Sequence, residues 1–371
     1  MKNKMLAMKN HAAVDVTVIS PIPFAPGFLA KRSKRWAEYH GVQKYQNQDG
    51  INCYFPRYIR LPGSWFRIFE GLSMFLSVFL ILWKIRAQKF SLVLGGNLND
   101  DGLAAYFTGK LLGIKAMSYA IGSDVNTYPY ESKAMMKLTH FLLSKLDLVI
   151  CVGRGLKGHV EKTLGSFPSL THNYLGVSLE SFNYIPQKRN EVMKGLFVGE
   201  ISDSKGVFDL VKAVRLIPSD KRFELRIVGG GTDSNINTLK ILSGDDERIK
   251  YLGKIPHSEV SKLFNESDFF IFATYTEGCA CVLTEAAASG LPLIISDITQ
   301  NLDVQGDNAI SFQTGNVEEI KQSILKFLSL SSEERERMSK SSRLIAEQNF
   351  EEKKAAIDFR LLLEKTLELN L

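Results

Sequence analysis

Phe270-Ile271-Phe272-Ala273-Thr274-Tyr275-Thr276-Glu277-Gly278-Cys279-Ala280-Cys281-Val282-Leu283-Thr284-Glu285-Ala286-Ala287-Ala288-Ser289-Gly290-Leu291-Pro292-Leu293-Ile294-Ile295 is the stretch that decides how this chain reads. Residues 268–273 are an apolar run suited to a buried strand. A polar turn follows over residues 274–278. From about Ala280 a helix is expected to run to Ser289, with Gly290 as its stop and Pro292 just beyond. A second apolar strand starts at Leu291. Strand, helix and strand make a βαβ unit, which predicts a parallel sheet with ligands outside the carboxyl ends of its strands. Two carboxylates frame the turn: Glu277 in the loop, and Glu285 about two turns into the helix. The small residues between them let a ligand approach the backbone. The first N–H groups of the helix have no intrahelical partner, so that end attracts an anion such as a phosphate.

The chain holds 371 residues, room for two domains of the usual size of about 100–200 residues. Its 46 basic and 40 acidic side chains leave a net charge of +6. That mild excess suits an anionic ligand or an anionic membrane surface. No nucleic-acid reader motif is present, so no nucleic-acid partner is expected. Four cysteines are too few for a disulfide framework at this length. Cys279 and Cys281 have no nearby His or second cysteine pair. They read as small buried or backbone-lining residues, and no metal is expected. The first 13 residues are polar and basic without an apolar core segment, unlike a secretory signal. A cytoplasmic location is expected, with the inner face of the cell membrane as a further option.

Glu277 and Glu285 also stand in a Glu-Gly-(x)n-Glu-Ala-(x)n-Gly-Leu-Pro frame. Two glutamates eight residues apart arise by chance, and the whole frame in its strand–loop–helix–strand context is far more specific. The frame resembles the signature of the retaining nucleotide-sugar glycosyltransferases of family 4. That resemblance implies an α/β chain with two Rossmann-like domains facing across a cleft (the GT-B fold). Residues 1–187 would be the acceptor-binding domain and 188–349 the nucleotide-sugar-binding domain. Residues 350–371 would form a helix crossing back to the first domain. The donor implied is a nucleoside diphosphate sugar, UDP rather than GDP, with no separate cofactor. The acceptor implied is a hydroxyl of a glycan or lipid-linked molecule, in surface polysaccharide or glycoconjugate synthesis.

Residues 14–20 are a β-branched strand candidate, and in the loop after them Gly27 is the one match to the family's Gly-Gly pair. Residues 29–40 read as a helix with Lys31, Arg32, Lys34 and Arg35 near its start. Residues 71–83 are apolar apart from two serines, short of the about 20 residues a bilayer span needs. They read as a buried crossover helix, or as a face that dips into a membrane beside Arg67, Lys84 and Arg86. After a strand at residues 114–120, Ile121-Gly122-Ser123-Asp124 is similar to the family's His-Gly-x-Asp loop, which faces the sugar. Gly122 and Asp124 match, and Ile121 takes the place of the imidazole. The resemblance makes Asp124 catalytic, and a turn-forming Asp is the alternative. Residues 173–177 are expected to be a strand, and 175–182 resemble the family's Asn-Gly-Val-Asp-x-x-x-Phe exit from the first domain.

A strand at residues 194–198 leads into Gly199-Glu200-Ile201-Ser202-Asp203-Ser204-Lys205-Gly206, similar to the family's Gly-Arg-Leu-x-x-x-Lys-Gly loop. Lys205 matches the diphosphate lysine, where an ammonium beside helix N–H groups suits phosphate oxygens. Glu200 stands where the family often has an arginine. The Gly229-Gly230-Gly231 run matches a Gly-x-Gly position, and Gly253-Lys254-Ile255-Pro256 resembles the loop that reads the nucleobase. The roles implied are specific. Lys205 and the helix start at Gly278, Cys279, Ala280, Cys281 and Val282 would hold the diphosphate. Glu277 would hold the donor sugar, and Glu285 would accept both ribose hydroxyls. Gly27, Gly199, Gly229, Lys254 and Ile255 would line the donor site. Two other readings stay open. A nucleotide-sugar 2-epimerase of the same fold needs proton-shuttling groups, and none of the six histidines lies in a recognised motif. A catalytically silent partner subunit would account for the missing Arg and His.

Overall fold

The computed structural model describes residues 2–12, 14–31, 34–60, 67–186, 192–278 and 280–367. The chain divides into two units, one of Met1–Asn173 with Ala356–Leu371 and one of Tyr174–Ala355. The first unit holds β1 (Thr17–Ile19), β2 (Ile22–Pro23), β3 (Tyr45–Gln48), β4 (Ile51–Tyr54), β5 (Arg57–Tyr58), β6 (Leu92–Gly95), β7 (Lys115–Ala120), β8 (Leu148–Cys151) and β9 (Leu170–His172). Strands β6-β7-β8-β9 make a parallel sheet, with β1-β4-β3 and β2-β5 as smaller sheets. In β7 every residue after Lys115 is buried. Such continuous burial belongs to a parallel strand covered on both faces. The final helix, Glu352–Thr366, counts with this unit from Ala356 onward. Its Phe359 stacks on Tyr119 of β7 with ring centroids 6.1 Å apart.

The second unit is built on one sheet of six parallel strands: β10 (Met193–Val198), β11 (Phe223–Val228), β12 (Ile249–Gly253), β13 (Phe269–Phe272), β14 (Leu293–Ser296) and β15 (Ala309–Phe312). They lie in the order β12-β11-β10-β13-β14-β15. This is the doubly wound order, and its direction turns round between β10 and β13. Both β13 and β14 are buried at every residue, which fits their unbroken apolar sequence. The helix between them spans Cys281–Ala288, within two residues of the sequence reading.

The units part at Asn173/Tyr174 and Ala355/Ala356, not at 187/188 and 349/350. Residues 174–182 pack on the second unit. The Val177 N–H donates to Phe350 O at 2.7 Å, the Glu352 N–H donates back to Val177 O at 3.1 Å, and Phe182 joins the second core. Gly176 allows this approach. Its φ is +83°, and a Cβ there would lie 2.8 Å from Glu352 Cα. For the same reason residues 173–177 are not a strand: β9 ends at His172, and the Asn173 N–H still reaches β8, at Cys151 O. The helix expected over residues 29–40 is two, Gly27–Ala30 and Lys34–Gly41. Arg32 lies outside the described residues.

Candidate functional site

The site assembles where the loops after β10 and β13 meet. After β10 the chain makes a short 3-10 turn, Asp203–Lys205, and Gly206 then starts the Val207–Arg215 helix. Gly206 has φ +65°, and a Cβ there would lie 1.9 Å from Ala273 O, so only glycine lets the two loops close up. The Tyr275 N–H donates to Ser204 O at 2.9 Å across the same seam. Lys205 Nζ is thereby held 2.5 Å from Glu277 Oε1, with Thr274 Oγ1 3.2 Å from the same oxygen. The side chains are 24% and 11% exposed, so this ion pair is screened far less than a surface pair. A cavity of about 380 Å³ lies beside it, lined by Asp203, Ser204, Gly206, Phe208, Asp209 and Tyr275. Its two aspartates make it a poor seat for a diphosphate.

Glu285 leaves the Cys281–Ala288 helix and lies 2.9 Å from His257 Nε2. Burial pushes the Glu285 carboxyl up, opposed by the hydrogen bond and charge of His257. His257 opens the His257–Asn265 helix, and its ring meets the edge of Phe182 at 5.7 Å. Lys254, three residues earlier, is exposed and runs over Gly230, while Ile255 packs against the core. At the helix start Cys281, read as a small buried or backbone-lining residue, is exposed. It stands at the first helical position, after the cap at Ala280. Gly278 and Ala280 are buried and Val282 is partly buried. Cys279 lies outside the described residues.

Gly199 and Gly229 serve packing between neighbouring strands. Gly229 has φ +152°, and a Cβ there would lie 1.7 Å from Gly199 O. Gly231 is likewise pressed on Ile201 O. The loops after β10 and β11 therefore need glycine for their own contact, whatever they bind.

In the first unit Asp124 is buried. It accepts from the N–H groups of Leu98 at 2.8 Å, Gly122 at 2.8 Å and Ile121 at 3.0 Å. These bonds tie the loop after β7 to the loop after β6, the role of a turn-holding Asp. Burial pushes its carboxyl up, and those N–H donors pull it back. Gly27 begins a four-residue helix, is exposed, and has open space where a Cβ would stand.

Sequence reasoning missed His257. Its one hint is its place just after the Lys254–Pro256 stretch. It also missed the Tyr275 hydroxyl donating to Asp209 Oδ2 at 2.6 Å, which raises the tyrosine to about 12. Contacts between residues this far apart in the chain leave no local pattern.

Residues 183–344 match the family described as glycosyl transferases group 1. The protein TuaC of Bacillus subtilis (strain 168), whose name assigns it provisionally to teichuronic acid biosynthesis as a glycosyltransferase, is 26% identical over 301 residues, covering 77% of this chain and 73% of that one. The O-antigen chain mannosyltransferase B of Escherichia coli is 25% identical over 36% of each chain. Among solved structures, sucrose-phosphate synthase from Thermosynechococcus elongatus superposes with a TM-score of 0.82 at 14% identity, over 98% of this chain and 92% of that one. Anabaena Alr3699/HepE in complex with UDP gives 0.72 at 13% identity, over 98% and 96%. At these identities the solved structures speak for the two-domain α/β fold alone.

Proposed function

On the premise that residues 183–344 are a group 1 glycosyl transferase segment, we propose that this protein moves a sugar from a nucleoside diphosphate sugar to a hydroxyl, with retention of configuration. The acceptor is a glycan or a lipid-linked molecule in surface polysaccharide or glycoconjugate assembly. The observation that carries the reading is the position of Lys205 and Glu277. They lie in the loops after β10 and β13, the two strands between which the sheet order turns round. Open α/β sheets bind their ligands at that switch point.

The chemistry follows from charge. The bond from the anomeric carbon to the diphosphate oxygen breaks, and the diphosphate leaves with the electron pair. The acceptor oxygen bonds to the anomeric carbon, and its proton passes to the departing diphosphate oxygen. Negative charge grows on the leaving group while the sugar becomes cationic. Lys205 and the N–H groups at the start of the Cys281–Ala288 helix face the first charge. Glu277 holds the sugar hydroxyls and offsets the second. Glu285, oriented by His257, accepts the ribose hydroxyls. UDP is favoured over GDP, in keeping with the UDP present in the HepE structure.

A thermal-shift screen of UDP, GDP and their sugars, followed by a transfer assay with the stabilising donor, tests the reading. Stabilisation by a UDP-sugar and release of UDP that depends on an added glycan or lipid-linked hydroxyl are expected. Conversion of the donor sugar without any acceptor would point to an epimerase. Binding with neither outcome would point to a silent subunit.

A further inference from the structure

The Arg67–Lys84 helix has two apolar faces, and only one is packed. On the packed face Phe75 meets Phe107 at 5.5 Å, a Cβ on Gly71 would lie 2.9 Å from Leu103, and Ser77 and Leu82 are buried. These contacts lay the helix along the Asp100–Leu112 helix. The other face carries Phe69, Leu72, Leu76, Leu80 and Trp83. Their steps of three and four residues put them on one stripe. They are 39–59% exposed, where a surface helix ordinarily carries polar groups.

Past the C-terminal end of the stripe the exposed charges of residues 84–89 have one sign. The one acid of the helix, Glu70, is buried and 3.5 Å from Arg60. Past the end of the stripe Lys84, Arg86 and Lys89 are exposed, with no acid among residues 84–89. The Arg86 guanidinium lies 4.9 Å from the centre of the Trp83 ring. The apolar surface continues onto Ile59, whose N–H bonds Ser73 Oγ at 2.8 Å, and Phe24, whose N–H bonds Tyr58 O at 2.7 Å. No described helix is long and apolar enough to cross a membrane.

We propose that this face docks on an anionic lipid bilayer. The helix lies in the plane of the surface, its stripe enters the acyl boundary, and Lys84, Arg86 and Lys89 meet headgroup phosphates. A cationic rim beside an apolar stripe complements an anionic interface that is oily just beneath. This inference stands apart from the sugar-transfer reading, and a failure of one leaves the other intact.

The test is co-sedimentation of the full chain with phosphatidylcholine vesicles and with vesicles containing phosphatidylglycerol, at low and high salt. Binding to the anionic vesicles that weakens with salt is expected. The variant Leu76→Ser/Leu80→Ser should lower the partition at least about tenfold. The variant Lys84→Gln/Arg86→Gln/Lys89→Gln should lower it about fivefold per charge. Both should melt with the parent, because the changed side chains are exposed. No binding to anionic vesicles, or equal binding by the serine variant and the parent, overturns the proposal. A concentration-dependent dimer in lipid-free ultracentrifugation that L76S/L80S abolishes overturns it too, because the stripe would then be a contact between copies.

Discussion

Lys205 Nζ and Glu277 Oε1 are 2.5 Å apart, in the loops that follow neighbouring strands. The cation expected at the diphosphate and the acid expected at the sugar are thus one coupled pair. A donor seated here would bring phosphate charge to a lysine already shared with a carboxylate. Lys205→Ala should therefore weaken UDP binding about ten- to a hundredfold, the range of a charge-assisted hydrogen bond, and leave uridine nearly unaffected. Calorimetry with both ligands decides it. Equal losses would mean that the lysine merely satisfies Glu277. Glu277→Gln keeps the shape and removes the charge. It should cost turnover about a hundredfold or more, with a smaller loss of donor affinity.

The Glu285–His257 contact predicts a pH effect. Glu285→Ala should weaken UDP and uridine alike by about ten- to a hundredfold, because the ribose is common to both. Unchanged affinity would remove Glu285 from that role. His257 opposes the upward push of burial on Glu285. Without the imidazole the carboxyl protonates at higher pH and can no longer accept from both hydroxyls. In His257→Ala the acid limb of UDP affinity against pH should move upward. A limb that stays in place would show that the histidine does not tune the acid.

Two glycines should prove intolerant. Gly206→Ala would set a Cβ 1.9 Å from Ala273 O, and Gly229→Ala one 1.7 Å from Gly199 O. Backbone cannot yield as a flexible side chain does, so each should cost roughly 1–3 kcal/mol in denaturant unfolding. Gly27→Ala meets open space and should cost little. Gly206→Ala should also lower affinity for UDP, because Lys205 is its chain neighbour.

The second unit was legible because its signals are local. Each fully buried parallel strand is a short apolar run, and Gly290 and Pro292 mark the end of one helix. The first unit was harder to read. The β3-β4 hairpin reads Tyr-Gln-Asn-Gln and Ile-Asn-Cys-Tyr, too polar to announce a strand pair. The segment 173–177 carries strand-like residues, but Gly176 and the bonds to Phe350 and Glu352 draw it to the other unit. Asp124 shows the limit at a site. A motif gives a residue's type and place, and only the fold reveals that its oxygens are taken by three backbone N–H groups. The stripe from Phe69 to Trp83 was visible as an apolar run, but which of its faces lies bare depends on the neighbouring helix.

Asp101 predicts how stability responds to pH. Burial, then the neighbouring Asp100, push its carboxyl up to about 6, against the pull of the Asn97 and Gly96 N–H groups. The Asn97 Nδ2–H donates to its Oδ2 at 2.9 Å. An acid whose folded pKa is raised holds its proton more tightly folded than unfolded, so folding is favoured while both forms are protonated. That stability is fully present below the unfolded value near 3.8 and is lost as pH rises through about 6. Over that window the loss is at most about 3 kcal/mol, the worth of a shift of about two units. Asp101→Asn accepts the Asn97 bond without taking on charge. The parent should lose melting temperature relative to this variant between about pH 4 and pH 7, and the gap should then level off. A gap that is the same at every pH would mean that Asp101 titrates alike in the folded and unfolded chain, its N–H donors offsetting burial.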